Sequence, residues 1–230
     1  MSDCKEIVFL FDFDNTLLDN DAVVADLQAC LVDAFGTAES DRYWSIFEAM
    51  RAEQGYVDYL GALQHYRRPD SSDTRLLLMS SFLIDYPFAS RLYPGARLAI
   101  QRLRRAGLTV ILSDGDVVFQ PRKIRRSGLW DEVEGRVMIY VHKETMLAEI
   151  EKRYPARHYV MIDDKLRILA AMKTVWGSRV TTIFTRQGHY AHDMALVDIH
   201  PPADLVIEHI DDLNYVDPRL FSGGESVVKT

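Results

Sequence analysis

The chain has 230 residues, is 48% hydrophobic and 27% charged, and carries a formal net charge of −7. That composition excludes global disorder, and a chain this long buries enough apolar surface to fold without a disulfide or metal staple. The acid balance disfavours broad nucleic-acid binding, and no apolar run is long enough to span a bilayer.

Residues 5–13 are apolar, β-branched and aromatic, which predicts a buried strand. Its purely apolar part, Ile7–Phe11, stops at Asp12 and lacks a small-residue cleavage site, so it is not expected to be a signal peptide. Cys4 and Cys30 make no CxxC or Cys/His spacing, and a reduced, cytoplasmic compartment is expected. From Asn20 the spacing turns helical, with Val23, Val24, Leu27, Leu31 and Phe35 in register and Gly36 as a stop. Residues 40–68 continue this way and Gly55 divides them into two helices. Residues 73–86 predict another helix, ending before Pro87. No strand signal occurs between about 18 and 92.

After that the periods alternate. Pro94 opens a helix that runs to Gly107, its expected C-cap. Strands are predicted at 108–112, 136–141, 158–162, 179–184 and 205–207, and helices at 117–127, 143–153 and 166–176. Such alternation predicts an α/β fold, a doubly wound parallel sheet, with an inserted helical block. The expected division is a core of residues 1–17 and 93–220, a helical cap domain of residues 18–92, and a flexible tail from 221 to 230. Ligands in open α/β sheets bind beyond the carboxyl ends of the strands. The insertion leaves from such an end and is placed to cover what binds there.

Three strand ends carry the polar groups. They read Asp12-Phe13-Asp14-Asn15-Thr16, Ser113-Asp114-Gly115-Asp116 and Asp163-Asp164-Lys165. Carboxylates at i and i+2 point the same way if the strand continues. Four carboxylates at one sheet edge would repel, and a hard cation relieves that. Oxygen-only ligands suit Mg²⁺, and no His or Cys joins the group to suit Zn²⁺.

These residues resemble the motifs of the haloacid dehalogenase superfamily of hydrolases, in its capped phosphatase branch. Its DxDx(T/V) motif is matched by Asp12, Asp14 and Thr16, its Ser/Thr motif by Ser113, and its acidic pair by Asp163 and Asp164. Its lysine is best matched by Lys143. Lys123 competes, but falls mid-helix among Arg122, Arg125 and Arg126. Order and spacing fit over nearly the whole chain. The resemblance implies a Rossmann-like core and a Mg²⁺-dependent phosphatase acting on a small phosphorylated metabolite. Asp12 would be the nucleophile that forms an aspartyl-phosphate, and Asp14 the general acid and base. Mg²⁺ would be held by the Asp12 carboxylate, the Asp14 backbone carbonyl and Asp163, with Asp164 as a further or water-mediated ligand. Ser113 and the N–H groups of Asp114 and Gly115 would bind the phosphoryl oxygens, and Lys143 would pair with them and with Asp12.

Asp14 favours ester hydrolysis over dehalogenation, because a halide leaves without a proton. Residues 18–92 contain no lysine, which disfavours a Schiff-base phosphonate hydrolase. Three alternatives stand beside the phosphatase: a mutase or phosphotransferase, a polynucleotide-end phosphatase suggested by Asp163-Asp164-Lys165, and a non-enzymatic binding protein. The large cap and the acid balance disfavour the polynucleotide reading, and no membrane partner is expected. His189 and His192 resemble a metal pair without a third ligand and read as a surface loop. The loop carrying Arg186 and Tyr190 would still lie near the same sheet edge. Lys165 reads as charge balance, and the cap's Tyr and Trp side chains as packing groups. Arg51, Arg67 and Arg68 are candidates to meet an anionic substrate.

Overall fold

A computed structural model describes residues 5–68, 74–192 and 199–221. The 69–73 segment, in which the predicted fourth helix begins, Cys4 and nearly all of the expected tail lie outside the described residues. No helix among the described residues is long and apolar enough to cross a membrane.

Six strands form one parallel sheet in the order β3-β2-β1-β4-β5-β6. They are β1 (Lys5–Phe11), β2 (Leu108–Asp114), β3 (Val137–Tyr140), β4 (Ala156–Asp163), β5 (Val180–Thr185) and β6 (Leu205–Ile207). β1 and β4 are apolar almost throughout because they are central and covered on both faces. Alternation sorts their side chains. Phe9, Phe11, Ile111, Ile162 and Ile183 face one hydrophobic cluster, and Val8, Leu10, Val110, Leu112 and Met161 face the other. Helices α8 (Leu147–Arg153) and α9 (Leu166–Trp176) cover the second face with Leu147, Ile150, Ile168, Leu169, Met172 and Trp176.

Between β1 and β2 the chain forms α1 (Asn20–Phe35), α2 (Thr37–Gln54), α3 (Tyr59–Tyr66) and α4 (Arg75–Asp85). Asp19 caps α1 by accepting from Ala22 N, and Asp58 caps α3 by accepting from Gly61 N. Gly55 ends α2 in the left-handed conformation, at the division the spacing predicts. Leu27, Leu31, Tyr43, Phe47, Ala62, Leu63, Met79 and Leu83 bury the inner faces of these helices, continuous with the first sheet-face cluster. The outgoing and returning chains run side by side. Leu18 bridges Leu92, Tyr93 N donates to the Leu17 carbonyl, and Asp19 N donates to the Arg91 carbonyl.

The remaining helices are α5 (Ala96–Leu103), α6 (Phe119–Arg126) and the single turn α7 (Leu129–Glu132). Two expectations change. The predicted helix at 143–153 is a 3₁₀ turn, Lys143–Thr145, followed by α8, so Lys143 sits on a turn facing the sheet edge. Gly107 is not the cap of α5, which ends at Leu103. It is needed for close approach instead, since a Cβ there would lie 2.6 Å from the Ile7 carbonyl oxygen and 3.0 Å from the Phe9 ring. Backbone cannot yield as a side-chain tip does. Gly107→Ala is expected to destabilise the fold by ~1–3 kcal/mol in chemical denaturation. An unchanged midpoint would show that β1 and the turn before β2 can part without loss.

Candidate active site

The sheet reverses its winding between β1 and β4, so ligands are expected beyond their carboxyl ends. Asp12 follows β1, and its N–H continues the ladder by donating to the Ile162 carbonyl at 2.9 Å. Asp163 ends β4 and Asp164 follows it. The carboxylates of Asp12, Asp163 and Asp164 come together, each offering an oxygen within 4.8 Å of the others. All three residues are buried. Asp12 Oδ2 and both carboxylate oxygens of Asp164 have no hydrogen-bond partner among the described residues.

Lys143 enters this cluster from its turn. Its Nζ lies 2.5 Å from Asp12 Oδ1 and 2.7 Å from Asp163 Oδ2, and its backbone N–H donates to Asp114 Oδ1 at 2.8 Å. Burial opposes the ammonium, but Asp12, Asp163 and Asp114 outweigh it and the Lys143 pKa is raised. Burial raises the carboxyl pKa of Asp163 and Asp164, and the neighbouring carboxylates add to it against Lys143 and Lys165. Orphaned, buried, oxygen-only donors with more negative than positive charge fit a hard divalent cation.

Asp14 is held apart from that cluster. Lys123 Nζ donates to its Oδ1 at 2.5 Å, and Gln120 Nε2 donates to its Oδ2 at 3.0 Å. The same Gln120 amide group lies 3.0 Å from Ser113 Oγ. Asn15, next in sequence, takes a left-handed φ of 59°, a conformation asparagine tolerates. Its side chain accepts from Asn20 N and Asp21 N and donates to Asp21 Oδ1, which fixes the start of α1.

Asp12, Asp14, Ser113, Asp114 and Gly115 line one cavity of about 800 Å³. Its opposite wall comes from the inserted helices, with Trp44, Phe47, Arg51 and Tyr59. The Gly115 N–H is not open to a phosphoryl group as the sequence suggests, because it donates to the Tyr140 carbonyl at 2.9 Å. The Asp114 carboxylate is engaged by Lys143 N. Asp116 accepts from Val118 N and Phe119 N at the start of α6.

The loop after β5 joins the cavity. His189 Nδ1 lies 2.7 Å from Asp21 Oδ1, and His189 N donates to Asp21 Oδ2, so this histidine is tied to α1. Burial works against ionised Asp21, but bonds from Asn15 and His189 outweigh it and its carboxyl pKa is lowered. Gly188 allows the approach, since a Cβ there would lie 2.5 Å from the Asn15 side chain. The His192 side chain is outside the described residues, so the suggested pair lies beyond them. Arg51 of α2 donates to Tyr190 OH at 2.6 Å, and Lys165 Nζ lies 4.8 Å from the Tyr190 ring centroid. Arg67 and Arg68 do not line the cavity, and Arg68 pairs with Glu39.

Gln120 is not named by sequence reasoning, and Lys123, weighed there as a rival to Lys143 and set aside, lies instead beside Asp14. Their signal is present. Phe119, Gln120, Lys123 and Ile124 form the buried stripe of α6, so two polar side chains stand where the helical period calls for apolar ones. The flanking Arg122, Arg125 and Arg126 hide that stripe in a basic run.

A parallel sheet with a buried carboxylate cluster at its switch point, beneath helices inserted after the first strand, defines a hydrolase of the haloacid dehalogenase-like class. The chain belongs to the haloacid dehalogenase-like hydrolase family, whose profile matches residues 8–175. It is 68% identical to a protein from Burkholderia xenovorans LB400 described as a haloacid dehalogenase-like hydrolase. That match covers 92% of this chain and 99% of that one, with a TM-score of 0.85. The fold is shared with the Bacillus subtilis HAD-hydrolase YfnB, solved bound to magnesium, at 17% identity, 90% and 96% coverage and a TM-score of 0.59. It is shared also with the L-2-haloacid dehalogenase of Xanthobacter autotrophicus, at 18% identity, 93% and 97% coverage and a TM-score of 0.56. No curated protein matches the chain.

Proposed function

We propose that this hydrolase is a Mg²⁺-dependent phosphatase that cleaves a small phosphomonoester through an aspartyl-phosphate on Asp12. The observation that carries it is the second carboxylate. Asp14 lies two residues beyond Asp12, lines the cavity, and has each oxygen held by a donor from α6. Displacing a halide needs no such group, whereas an ester oxygen must be protonated as it leaves.

In the first half-reaction an Asp12 carboxylate oxygen attacks phosphorus, the bond to the ester oxygen breaks, and Asp14 gives that oxygen its proton. In the second, water attacks the phosphorus of the aspartyl-phosphate. Its proton returns to Asp14, and Asp12 and inorganic phosphate are released. Ser113 and Lys143 hold phosphoryl oxygens, and the Lys143 ammonium offsets the charge that builds on them. Asp12, Asp163 and Asp164 would hold Mg²⁺, and a metal role for Asp14 falls to its backbone carbonyl because its carboxylate is engaged elsewhere. The cation supplies neutralisation of the repulsion between Asp12 and a phosphate dianion. The inserted helices that wall the cavity favour a small ester over a polynucleotide end.

The test is phosphate release from a panel of phosphorylated metabolites with Mg²⁺, and no turnover of any ester by folded, metal-loaded protein rejects the proposal. A second readout needs no substrate. Saturating Mg²⁺ (~100 Kd) is expected to stabilise the fold by ~2.7 kcal/mol, raising Tm by ~5–10 °C over chelated protein. Asp164→Ala should shrink that shift. Identical melts with Mg²⁺ and with chelator would remove the cation from this cluster.

A further inference from the structure

We propose that Lys123, assisted by Gln120, is the positioning residue for the general acid–base group, fixing the Asp14 carboxylate toward the cavity. The inference rests on the phosphatase reading and deepens it.

Lys123 sits in the middle of α6 with its side chain 1% exposed. Its Nζ lies 5.8 Å from the Phe13 ring centroid and 6.0 Å from that of Phe119, an apolar setting that methionine or leucine would fill without desolvating a charge. Packing therefore does not call for lysine. Its partners do: Asp14 Oδ1 at 2.5 Å and Asn20 Oδ1 at 2.8 Å. Gln120, three residues earlier on the same face, takes the other Asp14 oxygen. Both oxygens of a carboxylate that is still 26% exposed are thus pinned from one side, leaving the other side toward the cavity. The other basic side chains of α6 do different work. Arg122 donates to the Ile84 carbonyl, Arg126 to the Asp85 and Tyr86 carbonyls, and Arg125 lies over the Trp130 ring. Lys143 serves Asp12 and Asp163. The site therefore uses two buried lysines, one for the nucleophile and metal cluster and one for the proton-transfer carboxylate.

Positioning and mere packing separate in the two half-reactions. Nitrophenolate leaves p-nitrophenyl phosphate without a proton, so forming the phosphoenzyme from that ester makes little demand on Asp14. Hydrolysis of the phosphoenzyme does need it, because water must be deprotonated. Single-turnover quench-flow with p-nitrophenyl phosphate and Mg²⁺ reads both steps. Lys123→Met is expected to keep nitrophenolate release within about 3-fold of the parent chain while phosphoenzyme hydrolysis slows by about 10- to 100-fold. Lys123→Gln keeps a donor without the charge, and gives the same readout if the methionine variant does not fold. An equal fall in both steps, or no fall in either, overturns the inference and leaves the phosphatase standing. A parent chain that forms no phosphoenzyme overturns both.

Discussion

Asp12→Asn is expected to lower kcat by at least ~10⁴-fold, because loss of a covalent nucleophile closes the whole two-step path. The substitution keeps the shape of the side chain, and Lys143 still has Asp163 at 2.7 Å as a partner. Native circular dichroism and a cooperative melt are therefore expected to survive. The parent chain, quenched during turnover of a labelled ester, should carry one phosphoryl group per chain, and the variant none. Turnover above about 1% of the parent rate would mean that Asp12 does not form the intermediate. Asp14 would then have to be considered for attack, although both of its oxygens are engaged by Lys123 and Gln120.

Lys143→Met is expected to lose both stability and activity, and Mg²⁺ should divide the two. Lys143 is buried between Asp12 and Asp163, with Asp164, whose carboxylate oxygens have no hydrogen-bond partner among the described residues, beside them. Removing one partner of a buried ion pair costs ~3–5 kcal/mol, because charge is left uncompensated. For a chain of this size that corresponds to a fall in Tm of ~6–20 °C in chelator. A divalent cation on the same carboxylates replaces the lost positive charge, so the deficit should shrink with Mg²⁺. Activity should not recover, because the ammonium that offsets phosphoryl charge is gone, and a loss of ~10²–10³-fold is expected even when the cluster is metal-loaded. Thermal melts of both proteins with and without Mg²⁺ give the comparison. A deficit of the same size in both conditions would mean that lysine and metal do not share the cluster.

The linear chain shows much of this. The strand ends at Asp12, Ser113 and Asp163 are legible because each closes a short apolar run, and only a sheet buried on both faces needs such runs. The insertion is legible because its apolar period is helical from Asn20 onward, and Gly55 falls where α2 ends. Lys143 is separable from Lys123 by its place outside the basic stripe. Less legible are contacts between residues far apart in the chain. Lys123 and Asp14 are 109 residues apart, and Arg51 and Tyr190 are 139 apart. No local period encodes such pairs. The Gly115 N–H illustrates the converse. The resemblance implies an open donor at Gly115, but pairing of β2 with β3 gives that donor to the Tyr140 carbonyl.

Composition, periodicity and strand-end carboxylates by themselves determined the class of fold, the place of the insertion and the strand ends at which carboxylates gather. Those properties follow from burial and from local spacing, which a linear chain carries. The Lys143–Asp12 pair is implied by the resemblance, but only the tertiary structure decided that Lys143 also meets Asp163 and that Lys123 takes Asp14. Lys143 and Lys123 are both buried cations within reach of the same strand end, yet one turns to Asp12 and Asp163 and the other to Asp14. That assignment depends on where α6 and the turn at Lys143 dock against the sheet. A buried charge is tolerated only where an opposite charge meets it within a few ångströms, so the docking of those two segments separates the Asp12, Asp163 and Asp164 carboxylates from that of Asp14.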